Sequence, residues 1–187
     1  GKQAVFHIDM FLTPTGHRDP QTGKEIVLVG DTKVAREALK EVPPERLEQY
    51  EKGWAAAGES WRTWRPTVNQ EGNASDLPKG GALLSSAINS PSLNQRDLAK
   101  RLDQNAQELK EKGFHVVRVP LLDTNLYFGE LQPFITYNNA LVENYTDETG
   151  QKRSVATIPS YGIPEMDQKA ADVYRSAGFD DVVRVDG

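Results

Sequence analysis

Alternating and periodic apolar positions predict a chain of mixed strands and helices. Residues 4–12 alternate with a period of two, which predicts a strand. This alternation places His7 and Asp9 together on the face opposite to a purely apolar one. The residues at 13–16 (TPTG) predict a turn. The continuously apolar segment 25–29 predicts a strand that is covered on both faces.

Helical periodicity is found in four places. Asp31 is a suitable N-cap for a short helix. Residues 44–64 carry an apolar stripe that includes all three tryptophans of the chain, and a long irregular loop follows over 65–91. Two further helices are predicted, one over 93–112 and one starting at Pro164, and a glycine ends each of them.

The order strand, strand, helix, strand occurs twice in this assignment. The remaining strands are predicted at 114–119, 134–142, 153–158 and 179–186. The helix-to-strand joint of each copy carries Gly-Phe followed by Val-Val-Arg-Val. We assign the first unit to 4–119, with an insertion at 43–91, and the second unit to 133–186. Units of this kind need neighbours to bury a shared core, so residues 1–187 are expected to form a partial domain.

Composition and charge exclude several classes of function. The chain has 22 Lys and Arg against 27 Asp and Glu, a net charge of −5, which argues against a nucleic-acid partner held by phosphate contacts. We find no apolar run long enough for a transmembrane helix and no targeting segment, so we expect no membrane partner and slightly favour the cytoplasm. Cysteine is absent, which excludes disulfides, thiolate zinc sites and a cysteine nucleophile within these 187 residues.

Two pairs of polar residues are candidates for chemistry. An Asp carboxylate such as that of Asp9 accepts two parallel hydrogen bonds from a planar guanidinium or amidine group. The neighbouring imidazole of His7 transfers protons near neutral pH, although a hydrated His/Asp pair has the same spacing. Asn138 and Asn139 interrupt the strand predicted over 134–142. Buried amides there need hydrogen-bond partners, so a pocket-lining role and a structural role both stay open.

A metal site is an alternative use of the histidines. His17 and Asp19 repeat the His-x-Asp spacing of His7 and Asp9, and together these side chains offer ligands for a metal-dependent hydrolase. The second pair lies among turn residues, where charged side chains are usually hydrated. We therefore expect neither a metal nor a cofactor, and we expect His115 to be an ordinary half-buried histidine.

The chain resembles the pentein superfamily of guanidino-group-modifying enzymes. FHIDMFLTPTG at 6–16 and EIVLVGD at 25–31 resemble the family's His-x-Asp strand and the strand after it. PFITYNNALVEN at 133–144 and the segment at 156–187 resemble the region before the family's nucleophile. The superfamily includes arginine, agmatine and peptidyl-arginine deiminases, dimethylarginine hydrolases and amidinotransferases.

The resemblance implies a fold and roles for individual residues. The fold is an α/β propeller of five ββαβ units around one site, of which this chain would supply about two, with a helix-plus-loop insertion. His7 is then the catalytic acid/base and Asp9 binds the substrate guanidinium, and we add Asn138 and Asn139 as substrate-binding candidates. The family's cysteine nucleophile and a further acidic residue have no counterpart in this sequence.

These roles predict the later portion of a deiminase-type hydrolase that is inactive alone because the thiolate is missing. Its substrate is expected to be a small-molecule or peptidyl guanidino compound. Its protein partner is expected to be the remainder of the propeller or a second copy, because open sheet edges associate. A non-catalytic pentein-like binding module for a cationic ligand and a metal-dependent hydrolase stay open as alternatives.

Overall fold

A computed structural model describes residues 8–40, 42–50, 93–123 and 134–186, together with positions 52, 84, 88 and 89. His7 and most of the insertion predicted at 43–91, including its tryptophans, lie outside the described residues. In chain order the elements are a 3-10 turn (Ile8–Met10), β1 (Leu12–Arg18), β2 (Glu25–Asp31), α1 (Thr32–Leu39), α2 (Leu93–Glu111), β3 (His115–Asp123), β4 (Phe134–Thr136), β5 (Leu141–Thr146), β6 (Lys152–Ser160), α3 (Pro164–Ser176) and β7 (Asp181–Asp186). Residues 44–50 are also helical.

The chain is an α/β protein with two small mixed sheets, each of which combines an antiparallel hairpin with a parallel strand. The first sheet has the order β1-β2-β3-β4, with β2 parallel to β3 and the other two pairs antiparallel. The second sheet has the order β5-β6-β7, with β5 antiparallel and β7 parallel to β6. The predicted order strand, strand, helix, strand is therefore found in both halves of the chain.

One core joins the two sheets through their inner faces, which we define as the faces toward α1 and α3. Leu28 of the first sheet and Ile158 of the second are buried in the same cluster as Leu39 of α1 and Met166 of α3. The opposite, outer face of the first sheet is covered by α2, because Val27 and Val29 pack with Ala106 of that helix. This arrangement leaves the outer face of the second sheet facing away from the core.

The strand predicted over 4–12 is wrong in its described part. Residues 8–10 form a 3-10 turn, which is closed by a hydrogen bond from Phe11 N to Ile8 O at 2.9 Å. The strand begins only at Leu12, because β2 passes into α1 at Thr32 and leaves no partner strand for earlier residues. Ile8 is consequently exposed while Met10 is buried, so the predicted apolar face does not exist here.

The turn predicted over 13–16 is part of β1. Thr13 and Thr15 are buried, and the Thr15 hydroxyl donates to Ile26 O at 2.8 Å. Pro14 is tolerated because β1 is an edge strand, where a missing N–H costs little. Gly16 has a φ of +73°, and the pairing with β2 shifts register between Pro14 and Arg18.

The strand predicted over 134–142 is also wrong, because it is two strands in different sheets. β4 ends at Thr136, and β5 begins at Leu141 in the second sheet. The segment between them turns because Asn138 is buried and bonds to other strands instead of continuing the ladder. This crossing is the direct link between the two units.

The two Val-Val-Arg-Val segments do not occupy equivalent positions. Arg118 pairs in register with Val29 on the outer face of the first sheet, whereas Arg184 pairs with Ile158 on the inner face of the second. The second copy has one more residue between its Phe and its Val-Val. Because side chains alternate with a period of two, a shift of one residue moves the whole segment to the other face.

Candidate functional site

Three segments meet at the carboxyl end of β2, and we call them the carboxyl-end cluster: residues 8–11, 30–32 and 136–139. The Thr136 hydroxyl donates to Met10 O at 2.5 Å, and Gly30 N donates to Phe11 O at 3.0 Å. A Cβ built on Gly30 would lie 3.2 Å from Asn138 Oδ1. The turn that carries Asp9 is therefore held beside the segment that carries Asn138 and Asn139.

Asp9 is exposed within its 3-10 turn. The two residues after Asp9 are anchored, Met10 O to Thr136 and Phe11 O to Gly30, so the end of the turn is held against β4 and β2. The structure thus brings Asp9 and the two asparagines to one region. It leaves open the position of His7, which precedes the described residues.

Asn138 and Asn139 have different environments. Asn138 is 1% exposed, and its Nδ2 donates to Thr13 Oγ1 at 3.1 Å and to Leu28 O at 3.2 Å. Its backbone carbonyl accepts from the Thr13 hydroxyl at 2.7 Å. Asn139 is exposed. Asn138 is therefore a structural link between β1, β2 and the crossing segment, and its side-chain nitrogen is already committed.

Two buried acceptor atoms of this cluster have no hydrogen-bond partner among the described residues: Asn138 Oδ1 and Thr32 Oγ1. Asp31 adds a carboxylate that accepts from Lys33 N at 2.7 Å and caps α1. Its other oxygen accepts from Arg118 Nε at 2.9 Å. Both Asp31 oxygens are therefore already paired within the chain, and the two unpartnered atoms are buried, so Asp9 is the exposed carboxylate of this cluster among the described residues.

Tyr161 and Tyr174 form hydrogen bonds with the backbone of residues 136 and 137. Tyr161 accepts from Thr136 N at 3.3 Å and donates to Thr136 O at 3.0 Å, and Tyr174 donates to Tyr137 O at 2.7 Å. Burial raises the pKa of Tyr174 to about 12, with a smaller opposing effect of its contact with Thr13. These hydroxyls therefore stay protonated at neutral pH and keep donating.

Asp167 of α3 is a buried carboxylate that accepts hydrogen bonds from two tyrosines. It is 4% exposed, and it accepts from Tyr137 OH at 2.6 Å, Ser160 Oγ at 3.0 Å and Tyr161 N at 3.1 Å. Burial and the neighbouring Asp167 carboxylate raise the pKa of Tyr137. None of these residues was predicted from the sequence to have a role. The only signal was Asp167 in the first turn of a helix that follows Ser160 and Tyr161, and this placement is typical of many surface acids.

Two of the side chains proposed as metal ligands, His17 and Asp19, have other partners. His17 Nε2 lies 2.6 Å from Ser154 Oγ, and the His17 ring meets Phe179 edge-on at 4.8 Å between centroids. Asp19 lies 3.4 Å from Nδ1 of His115, which is only partly buried. Within the described part of the chain, no three His, Cys, Asp or Glu side chains are grouped to hold a metal ion. His17 is a packing contact between the units, since Ser154 is buried.

An open groove of about 520 Å³ is lined by one residue of α1 and by several residues of α2. It is lined mainly by long polar side chains, among them Arg36, Arg96, Lys100 and Asp103. None of the residues that line it belongs to the carboxyl-end cluster. The groove is therefore a surface feature of the helix pair, not part of the candidate site.

Comparisons with known proteins do not place the chain in a family. Among the described residues, no helix has the length and apolar character needed to cross a bilayer. The sequence matches no model of a known protein family, and a search of curated proteins finds no significant match.

Proposed function

We propose that the chain forms part of the guanidinium-binding site of a deiminase-type hydrolase with the pentein architecture. Two structural features support this proposal. The element order and strand pairing of a ββαβ unit are present twice. The described turn that carries Asp9 lies beside the segment that carries Asn138 and Asn139, as a shared site requires.

The observation that carries the proposal is the hydrogen bond from the Thr136 hydroxyl to Met10 O at 2.5 Å. It joins residues 126 positions apart in sequence and fixes Asp9 next to the crossing segment. An exposed carboxylate on a fixed backbone binds a planar cation with little loss of conformational freedom. Asp9 is the proposed guanidinium ligand, and Asn139, which is exposed, is the second proposed contact.

His7 is the proposed acid/base, two residues before Asp9 in sequence. In the proposed reaction a cysteine thiolate adds to the guanidinium carbon, and the C–N bond to the leaving nitrogen breaks as that nitrogen receives a proton. Ammonia leaves, and water then releases the ureido product and restores the thiolate. The chain has no cysteine, so we propose that the thiolate comes from the remainder of the propeller, which is the proposed protein partner.

The proposal predicts that the 187-residue chain alone does not turn over guanidino substrates, because its side chains offer only weak hydroxyl nucleophiles. The test is colorimetric detection of ureido product from L-arginine, agmatine and a peptidyl arginine, with His7→Ala as the control. The expected result is no product above that control. Turnover by the wild-type chain that His7→Ala abolishes would contradict the missing-nucleophile account.

A second candidate function is a non-catalytic module that binds a cationic ligand. The exposed carboxylate of Asp9, combined with the absence of cysteine from the 187 residues, favours it. Both candidates share the role of Asp9 and differ in the nucleophile. A cysteine encoded within a few tens of codons after position 187 favours the hydrolase, and a stop codon there favours the module.

A further inference from the structure

The outer face of the second sheet exposes a group of large apolar side chains. Leu141, Tyr145, Val183 and Val185 are 62%, 50%, 42% and 50% exposed. Leu141 and Val183 both pair with Thr157 of the central strand, so they lie in one row across the sheet. Because alternate residues share a face, Tyr145 and Val185 lie on this same face. Leu141, Val183 and Val185 lie in neighbouring rows of this face, whereas Tyr145 lies beyond the row of Glu143 and Asp181. Exposed apolar side chains grouped in this way mark a contact surface.

The corresponding face of the first sheet shows what covers such a surface. There Leu12, Val29 and Arg118 form the equivalent row, and α2 lies over the face. The apolar stripe of α2, with Ala106 and Leu109, packs on β2. In the second unit α3 ends at Ser176 and β7 begins at Asp181, so the connection has no room for such a helix.

The size of the exposed face fits a helix and not a second globular copy. Three strands of about six residues cover about 15 by 20 Å, or about 300 Å². A stable protein dimer buries about 800 Å² on each partner. An α-helix is about 10 Å across and rises 5.4 Å per turn, so a helix of about four turns spans the face.

Two acidic residues on the face indicate which charges a docked helix would carry beside its apolar stripe. Glu143 and Asp181 lie in one row, on either side of Val155. Among the described residues neither carboxylate has a cationic partner, while the neighbouring Arg153 is already paired with Asp147 at 3.0 Å. A helix with Lys or Arg beside its apolar stripe complements this pattern.

We propose that the outer face of the second sheet docks an amphipathic helix with basic flanks, supplied by a partner protein. The apolar stripe of the helix lies on Leu141, Val183 and Val185, and its basic residues meet Glu143 and Asp181. Tyr145 borders the site with an aromatic ring, which is a frequent anchor of helix contacts. This surface shares no residue with the carboxyl-end cluster, and its proposed role does not rest on the proposed hydrolase function.

The probe for this proposal is a synthetic peptide with the sequence of residues 93–112, the helix that covers the equivalent face of the first sheet. Titrated into the full chain by calorimetry, it is expected to bind with a saturable one-to-one isotherm. The double variant Leu141→Gln with Val183→Thr is expected to bind at least tenfold more weakly, and Glu143→Gln is expected to reduce the salt dependence. Ile8→Gln, which alters another exposed apolar residue (76% exposed), is the matched control and is expected to bind like the wild type.

Circular dichroism melting establishes that each variant is folded, and substitutions at exposed positions leave the fold intact. Absence of saturable peptide binding to the wild type, or equal binding by the double variant, overturns the proposal. Sedimentation velocity tests the competing occupant. A wild-type dimer that the double variant converts to monomer overturns the helix assignment in favour of a second copy.

Discussion

His17 connects the two units through one side chain. Its ring contacts Ser154 and Phe179 of the second unit, and Asp180 lies near enough to act on its charge. Burial lowers the pKa of His17 below 6.5, and Asp180 offsets part of this effect. The neutral imidazole is therefore the form that fits the junction.

The lowered pKa of His17 predicts a pH dependence of stability. In the unfolded chain His17 has its ordinary pKa of 6.5, which is higher than its pKa in the folded chain. As the pH falls below this value, the unfolded state therefore binds more protons than the folded state. The contribution of His17 to the free energy of unfolding is fully present above pH 6.5. It is lost as the pH falls from there toward the lower pKa of the folded state. Urea unfolding of the wild type and of His17→Gln at pH 8 and pH 5.5 measures it. The variant is expected to lose less stability between these pH values, and equal losses would count against the junction role.

Local chemistry at single residues was largely predictable. Asp31 caps α1 as expected, through a 2.7 Å hydrogen bond from Lys33 N. Gly113 and Gly178 end their helices with φ of +96° and +107°, a conformation that favours glycine. These features were predictable because each depends on neighbours within a few residues. The role of Asn138 was not, since its partners Thr13 and Leu28 are more than 100 positions away.

At the scale of elements, the two helix-ending glycines offer a matched comparison. A Cβ on Gly113 would meet nothing within 4 Å, whereas a Cβ on Gly178 would lie 3.3 Å from Cγ of His17. Both Gly→Ala variants force a side chain into the left-handed region, at a cost of about 1 kcal/mol. Gly178→Ala is expected to lose about 1 kcal/mol more, because His17 must move.

Chemical denaturation of the two variants beside the wild type measures this difference. Gly113→Ala serves as the control for backbone strain alone. Equal losses of unfolding free energy in the two variants would show that the packing of His17 on the α3–β7 turn contributes nothing measurable.

Helices were predicted better than strand ends. The spacing of Met166, Ala170 and Val173 identified the buried side of α3, because helical periodicity is local. Strand limits depend on whether a partner strand is present. The 3-10 turn before β1 and the break after β4 both lie where pairing ends. Asn138 and Asn139 marked the break as an interruption of the strand, but the change of sheet was not predictable from them.

At the scale of the whole molecule, the repeat predicted the topology but not the junction between units. The ββαβ order of both halves was visible in sequence, and both halves have the same pairing pattern. The contacts that join them come from residues outside the repeated motif, such as Thr13 with Asn138 and His17 with Ser154. The repeated Val-Val-Arg-Val segments even lie on opposite faces, because the one-residue difference before them reverses the alternation.

The proposed site depends most directly on Asp9 as the ligand of a guanidinium group. Calorimetric titration of L-arginine, agmatine and benzoyl-arginine amide into the wild type, Asp9→Asn and Asp172→Asn tests this role. Asp172 is an exposed acid of α3 paired with Arg175, so its variant controls for the loss of one surface charge. A charge-assisted hydrogen bond contributes about 1.5–3 kcal/mol. We expect Asp9→Asn to weaken binding roughly ten- to hundred-fold at unchanged melting temperature, with Asp172→Asn like the wild type. Equal affinity of Asp9→Asn and the wild type would contradict the proposed site.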